Sequence, residues 1–418
     1  MLTLDQIETV ALAGLVLFIG YAIRRLVPIL ARYNIPAPVI GGLLIAGFVT
    51  VARQWQWTPL NFTTTLQTPL MIAFFTTIGF GASLSLLRVG GPAVLLFFVL
   101  STFMAVAQNV IGIVASYALG QHPLMGVLAG SVTLTGGPAT GLAFAPQFEE
   151  AGVPAAATLA VAAAMAGIVG GGLIGGPVAT RLIARLRLAD GPVRPRGARG
   201  LATAVVENTL GEQSQTAPAG EDVESYGLLK SLVLILSAMW IGSGVSVWIN
   251  SLDLNSNGEN DITLPAYIGA MLVAAVIRNL DDATRVIGMS QLTIDDLGGT
   301  ALSLFLVMAL MTLRLWDLVG VAVPLAILLL LQIVAIAMVA ATIVHRAMGR
   351  DYESAVMAGG FCGFMLGTTA NAMANMEALV ERYGPAPKAF LVVPMVGAFF
   401  VDFTNAIIIT FCLNIVTA

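Results

Sequence analysis

Two short stretches rich in glycine, threonine and asparagine interrupt a chain that is 58% hydrophobic and only 10% charged. They read TLTGGPATG, from residue 133, and CGFMLGTTANAMAN, from residue 362. Glycine permits sharp turns and close backbone approach, which indicates tips at Gly136–Gly137–Pro138 and at Gly367–Asn371. Helix N-termini at such tips suit carboxylates, and free carbonyls with Thr or Asn oxygens suit Na⁺. The candidate side-chain ligands are Thr133, Thr135, Thr140, Thr368, Thr369 and Asn371.

One acidic residue lies deep inside an apolar run: Asp402 in FFVDFTNAII, which we predict about midway along the last helix. A carboxylate is costly in hydrocarbon and is usually functional there. It needs a partner, and the sequence places no Lys or Arg at that depth. We therefore expect Na⁺ or a substrate ammonium group to be the partner. Asn405, three residues on, shares its helix face.

The composition as a whole indicates an all-α integral membrane protein. The mean hydropathy is +0.91, and the apolar residues fall in runs of about 17 to 30, the length that crosses a bilayer. We predict ten such spans in the lipid bilayer, and no nucleic-acid partner. They are residues 6–26, 37–53, 66–87, 91–119, 153–187, 226–250, 263–279, 296–314, 318–345 and 389–416.

The basic residues test how the two interrupted stretches cross the membrane. When residues 123–148 and 353–381 are each treated as a re-entrant hairpin, all of the 19 Lys and Arg residues except Arg53 and Arg314 fall on one face. A full crossing at either stretch would remove this bias. Since cytoplasmic loops carry the excess of Lys and Arg, both termini are expected outside, with a cytoplasmic linker at 189–225.

The two sides of the linker repeat the same landmarks. PAPVIGGLL at 36–44 corresponds to LPAYIGAML at 264–272. Equivalent positions lie 228, 232 and 230 residues apart, namely Gly41 and Gly269, Pro92 and Pro324, and Gly137 and Gly367. Because each repeat has five spans, the second, 226–418, is inverted relative to the first, 1–188. Inverted repeats with broken segments are typical of secondary transporters rather than enzymes.

Two other classes of transport protein remain open at this point. A cation/proton antiporter shares such a repeat plan, but we would expect more than one deep carboxylate in it. A passive channel would show a ring of pore charges or a filter motif, and neither is visible in the sequence.

Several strings are similar to the bacterial sodium/glutamate symporter family, over nearly the whole chain except the linker. They include HPLMGVLAGSVTLTGGPATG, GFMLGTTANAMANMEALVERYGP and AFLVVPMVGAFFVDFTNA. The resemblance implies Na⁺-coupled uptake of glutamate across the bacterial inner membrane, with Na⁺ as the coupling ion. It also implies a homodimer in which a mobile transport domain slides against a scaffold, an elevator-like form of alternating access.

The family's site residues carry over to this chain position by position. In the first hairpin Gly136, Gly137, Thr140 and Gly141 match, and the other matches are Gly363, Gly367, Thr369, Asn375, Asp402 and Asn405. We expect the Na⁺ ligands among Thr133, which lies beside the first tip, and the matched residues Gly363, Asn375, Asp402 and Asn405. The tips depart from the family's usual GGHGTG and GATPTA at Pro138, Ala139, Thr368, Ala370 and Asn371. A symporter for another small carboxylate therefore remains the alternative.

Overall fold

Helices account for nearly all of the structure, a computed structural model that describes residues 2–54, 60–190, 223–251, 264–318 and 320–417. Two three-residue strands, β1 (Leu2–Leu4) and β2 (Leu60–Phe62), pair in parallel. The N-terminal segment thereby lies beside the residues that precede the helix beginning at Gln67. The first helix begins at a capping box in which Asp5 and Glu8 each bond the other's backbone N–H group.

The first part of the chain forms eight helices in the described residues before the predicted linker. They are α1 (Gln6–Leu26), α2 (Pro28–Arg32), α3 (Ala37–Gln54), α4 (Gln67–Gly81), α5 (Leu84–Ala118), α6 (Pro123–Val127), α7 (Gly137–Glu150) and α8 (Ala156–Asp190). A π-helical turn, Leu128–Val132, continues α6. Within α5 the backbone kinks at Gly91, where φ is 67°, directly before Pro92.

The second part follows the same alternation of long helices and interrupted segments. Its helices are α9 (Val223–Asn250), α10 (Ala266–Thr284), α11 (Gln291–Met311), α12 (Ala322–Val339), α13 (His345–Ala347), α14 (Tyr352–Met365), α15 (Thr369–Tyr383), α16 (Pro387–Phe399) and α17 (Val401–Thr417). A 3₁₀ turn at Leu315–Leu318 follows α11, and a π-helical turn at Ala340–Val344 joins α12 to α13.

Within the described residues, seven helices are long and apolar enough to cross a membrane. Up to eight qualify if the bent pair Pro387–Gly397 and Val401–Val416 is one span. Of the ten predicted spans, residues 37–53 form a shorter apolar helix. The predicted span 263–279 becomes the longer α10, whose last turns carry Arg278, Asp281 and Asp282. A multi-pass membrane protein is therefore confirmed, with a smaller number of unbroken spans than predicted.

The prediction of one continuous last helix at 389–416 is wrong. The chain breaks at Phe400, between α16 and α17, and α16 also contains Pro394. Asp402 consequently lies in the first turn of a helix rather than midway along one. The predicted linker 189–225 falls largely outside the described residues, although α8 reaches Asp190 and α9 already begins at Val223.

The described helices pack in two groups. We call α1, α3, α4, α9, α10 and α11 the framework group, since each packs mainly on other members of this set. We call α5 to α8, α12 and α14 to α17 the hairpin group, for the same reason. Only sparse contacts join the two groups, for example between α7 and α11. The two interrupted stretches both belong to the hairpin group.

Candidate functional site

The first interrupted stretch leaves and returns to the same end of the molecule. It descends through α6 and its π-helical turn, reverses at residues 133–136 and comes back through α7. A Cβ added at Gly152, just beyond α7, would lie 3.7 Å from Nε2 of His122, just before α6. The stretch is thus a hairpin, and its reversal places Gly137 at φ +69°, a conformation that favours glycine.

The second interrupted stretch is a tighter hairpin, formed by α14 and α15. Its arms lie side by side, because a Cβ added at Gly363 would meet the backbone nitrogen of Ala372 at 2.8 Å. At its open end the Tyr352 hydroxyl donates to the carbonyl of Gly384. At its tip Thr368 caps α15, accepting from the backbone N–H of Asn371 at 3.3 Å.

The two tips meet. The nearest atom to a Cβ added at Gly137 would be the carbonyl oxygen of Gly367, at 3.7 Å. Helices α7 and α15 both begin at this junction, so both N-termini lie there. Backbone N–H groups at helix N-termini have no partner within their own helix and favour anions. The tips therefore form a site suited to a carboxylate.

A cavity of about 410 Å³ opens at these tips. It is closed on the other side by framework helices, through residues such as Tyr21, Pro38, Phe74 and Leu306. The predicted site residues that line it are Thr135, Gly136, Gly137, Gly367, Thr368, Thr369 and Asp402. Pro138, Ala139 and Ala370, at which the tips depart from the usual family strings, line it too.

One carboxylate and one guanidinium share the cavity. Asp402 comes from the first turn of α17, where the helix N-terminus favours a negative charge, and Arg24 comes from the last turn of α1. Both side chains are half-buried. Neither makes an ion pair with another described residue. Sequence reasoning missed Arg24, because its place near the end of the first span gave no sign that it faces the hairpin tips.

An amide in α5 holds the tips together. The Thr135 hydroxyl donates to Oε1 of Gln108 at 2.6 Å, and Nε2 of Gln108 donates to the carbonyl of Met365 at 2.9 Å. The backbone carbonyl of Gln108 accepts from Nε2 of Gln332 in α12 at 2.7 Å. All these atoms are buried, so the bonds compensate for the loss of water.

The other predicted site residues lie behind the tips. Thr140 packs against Gly136, and Gly363 packs within the second hairpin. Nδ2 of Asn371 donates to the carbonyl of Ile168 at 2.8 Å, and Nδ2 of Asn375 donates to that of Gly171 at 3.0 Å. These bonds join the second hairpin to the glycine-rich face of α8. None of these four residues lines the cavity.

Buried oxygens without partners surround the tips. Nδ2 of Asn405 donates to the carbonyl of Ser131 at 2.9 Å, whereas Oδ1 of Asn405 and Oγ of Ser131 have no partner among the described residues. Oδ1 of Asn371 is unpartnered as well. Thr133, close to Ser131, donates to the carbonyl of Leu128 at 2.7 Å. Buried oxygens that lack donors are costly and suit a bound cation.

A second cavity of about 410 Å³ lies further along the same two helices. On α7 it is lined by Leu142 and Ala145, whereas Gly137 and Ala139 line the first cavity. On α11 it is lined by Ala309, one helical turn beyond Leu306 of the first cavity. The two cavities therefore lie one after the other along α7 and α11, which are in contact with each other.

Two hairpins with facing tips inside a multi-pass helical protein define a membrane transporter. The sequence profile of the family described as "Sodium/glutamate symporter" matches residues 2–385, and the chain belongs to this family. It is 38% identical to the sodium/glutamate symporter of Haemophilus influenzae over 405 residues, 97% of this chain and 96% of that protein. The identity to that of Escherichia coli is 38% over 410 residues, 98% of this chain and 97% of that protein.

The chain also matches a solved structure, that of the sodium proton antiporter MjNhaP1 from Methanocaldococcus jannaschii at pH 8. It is 14% identical and covers 99% of both chains, with a TM-score of 0.42.

Proposed function

We propose that this protein takes up L-glutamate across the bacterial inner membrane together with Na⁺. The observation that carries the proposal is the cavity at the hairpin tips, which holds Asp402, Arg24 and two helix N-termini. Glutamate carries one ammonium group and two carboxylates. Asp402 complements the ammonium group or a Na⁺ ion, and the helix N-termini complement a carboxylate.

Thr135, Gly136, Gly137, Gly367, Thr368 and Thr369 form the substrate site in this proposal. Their hydroxyls and backbone groups surround the ligand on the hairpin side of the cavity. Thr140 and Asn371 support the two tips from behind, through their contacts with Gly136 and with α8. The family membership and the relatives' names favour glutamate over another small carboxylate.

Na⁺, the coupling ion, is bound by the oxygens next to the tips. Asn405 and Thr133 supply ligands at the first hairpin, and the unpartnered oxygens of Asn405 and Ser131 support this assignment. At the second hairpin, the carbonyl groups near Gly363 and the amide of Asn375 act together with Asp402. Oxygen ligands suit Na⁺, a hard monovalent cation. The hydroxyl, amide and carbonyl oxygens are neutral, so they add no charge to the buried site.

The mechanism in this proposal is alternating access of the elevator type. The hairpin group slides as one body along the framework group, and the sparse contacts between the groups support this. The two cavities along α7 and α11 would be the two ends of the path. In the present conformation the substrate cavity opens beside Arg24 and Pro36, at the basic end of α1 and the start of α3.

Two inverted repeats, 1–188 and 226–418, build this arrangement on either side of the linker. In each repeat, the first helices belong to the framework group and the hairpin belongs to the hairpin group. The matched glycines make matched contacts: a Cβ at Gly41 would lie 2.3 Å from the carbonyl of Val16, and one at Gly269 would lie 2.3 Å from that of Gly242. Hence α1 with α3 corresponds to α9 with α10.

The orientation follows the positive-inside rule. Arg24, Arg25, Arg32 and the linker face the cytoplasm, both termini face outward, and the substrate cavity is then in its inward-facing state. A homodimer is part of the proposal on the strength of the family resemblance. The framework helix α9 offers an apolar surface for it, with Trp240 81% exposed.

Transport by the purified protein in liposomes tests the function. An inward Na⁺ gradient is expected to drive accumulation of labelled glutamate, and replacing Na⁺ by K⁺ is expected to abolish it. Accumulation of another small carboxylate, but not of glutamate, would move the assignment to the alternative substrate class. Proton-driven fluxes that ignore Na⁺, or Na⁺ exchange for protons without any carboxylate, would refute the proposal.

A further inference from the structure

Two neighbouring arginines at the end of α1 have different surroundings. Arg24 is half-buried and lines the substrate cavity, whereas Arg25 is exposed and does not line it. Within the described part of the chain, Arg24 makes no ion pair or hydrogen bond. Because the Arg24 guanidinium faces the cavity and has no ion-pair partner there, it is available to an anion that enters the cavity.

Arg24 and the hairpin tips belong to different packing groups. Arg24 is on a framework helix, whereas Thr135, Gly367, Thr369 and Asp402 belong to the hairpin group. If the hairpin group slides along the framework, the tips move away from the cytoplasmic end of α1. The guanidinium can then contact a substrate held at the tips in one conformation and not in the other.

We infer that Arg24 binds a substrate carboxylate only when the cavity faces the cytoplasm, and so sets the affinity at that face alone. The inference rests on the proposed function and adds a substrate-binding charge that acts only at the cytoplasmic face. A guanidinium presents a planar fork of donors to a carboxylate. Lysine presents a point charge on a flexible stem, so Arg24→Lys should restore only part of the interaction.

The substrate affinity of the transporter then differs between its outer and inner faces. The hairpin tips and Asp402 determine the affinity at the outer face, and the same groups together with Arg24 determine it at the inner face. A charge that merely attracted anions to the membrane surface would act equally from position 24 or 25. The pair Arg24→Gln and Arg25→Gln therefore separates a specific contact from a surface potential.

The experiment compares Na⁺-driven glutamate uptake by right-side-out and inside-out membrane vesicles. For Arg24→Gln, the half-saturating glutamate concentration should rise about tenfold in inside-out vesicles, as expected for losing a charge-assisted pair. In right-side-out vesicles it should change by less than about twofold, which also shows that the variant is folded. Arg25→Gln should change neither value, and Arg24→Lys should lie between the wild type and Arg24→Gln at the inner face.

Provided that the wild-type protein transports glutamate, three results for the variants would overturn the inference. They are an unchanged inner-face value for Arg24→Gln, equal shifts at both faces, or the same inner-face shift for Arg25→Gln. Absence of Na⁺-driven glutamate uptake by the wild type would instead refute the proposed function itself, so the two failures are distinguishable.

Discussion

The hydroxyl of Thr135 donates to Oε1 of Gln108 at 2.6 Å, deep in the protein and directly behind the first hairpin tip. Through its Nε2 the same Gln108 side chain reaches the carbonyl of Met365 at the second hairpin. The two tips are therefore not independent, because one amide in α5 fixes the position of each relative to the other.

Loss of this amide is expected to loosen both tips. Gln108→Leu removes two buried hydrogen bonds, each worth about 0.5–1.5 kcal/mol, and leaves the Met365 carbonyl without this donor. We expect a lower melting temperature and slower uptake. In a double-mutant cycle with Thr135→Val, a coupling of about 1 kcal/mol should appear. Strict additivity of the two single changes would show that the bond contributes nothing.

Gly137→Ala tests the turn at the first tip. Gly137 has φ +69°, where a Cβ costs about 1–2 kcal/mol, although no protein atom closer than the Gly367 carbonyl would obstruct it. The strain should displace the tip and raise the half-saturating glutamate concentration severalfold. Gly176→Ala is the matched control, since Gly176 has open space and an ordinary φ. If both variants transport alike, the left-handed turn is dispensable.

Asp402→Asn tests the charge in the cavity. Asn keeps the shape of the side chain but cannot balance a cation, so coupled uptake should be lost or should need a higher Na⁺ concentration. Glu377→Gln, on the exposed face of α15, is the control. A shift in glutamate affinity with unchanged Na⁺ dependence would assign Asp402 to the substrate ammonium group. Normal transport with normal Na⁺ dependence would remove Asp402 from the site.

Ser131→Ala tests the unpartnered oxygens next to the first tip. If Oγ of Ser131 binds Na⁺, the variant should raise the half-saturating Na⁺ concentration about tenfold, the size of a lost ligand worth about 1.4 kcal/mol. Glutamate affinity at saturating Na⁺ should stay unchanged. Ser116→Ala serves as control, because Oγ of Ser116 is also buried and unpartnered but lies about two helical turns along α5 from Asn109, whose Oδ1 accepts from the Ser131 N–H group. Equal Na⁺ curves for the two variants would contradict the assignment.

Thiol labelling tests the accessibility of the cavity. Thr369→Cys lines the cavity, and the native Cys362 and Cys412 can be replaced by alanine to give a clean background. A membrane-impermeant reagent applied to inside-out vesicles should label this cysteine, and glutamate with Na⁺ should protect it. Cysteine at the buried Thr133 should label far more slowly. Labelling of Thr369→Cys that is insensitive to glutamate would place the substrate elsewhere.

Local sequence was sufficient for the membrane class, for most of the spans and for both interrupted stretches. Apolar runs of bilayer length need a helix, because their backbone groups find no other partner in hydrocarbon, and run length is a property of contiguous residues. Glycine and proline alone do not end such a run, since α8 continues through Gly172 and Pro177. The first span, residues 6–26, is reproduced to the residue by α1. At the first hairpin, Gly137 has a positive φ of 69°, a backbone conformation that glycine takes at low cost, and it lies at the predicted tip.

Tertiary packing decided what the sequence left open. The break at Phe400 lies in an apolar run without glycine next to it, so hydropathy alone predicted a continuous helix with Asp402 in its middle. The Nδ2 atoms of Asn371 and Asn375 donate to carbonyl groups of α8, about two hundred residues away in the chain, and no local pattern indicates these partners. Arg24 looked like an ordinary basic residue at the end of a span. Which polar side chains face a shared cavity depends on how distant helices pack, and no local pattern records that arrangement.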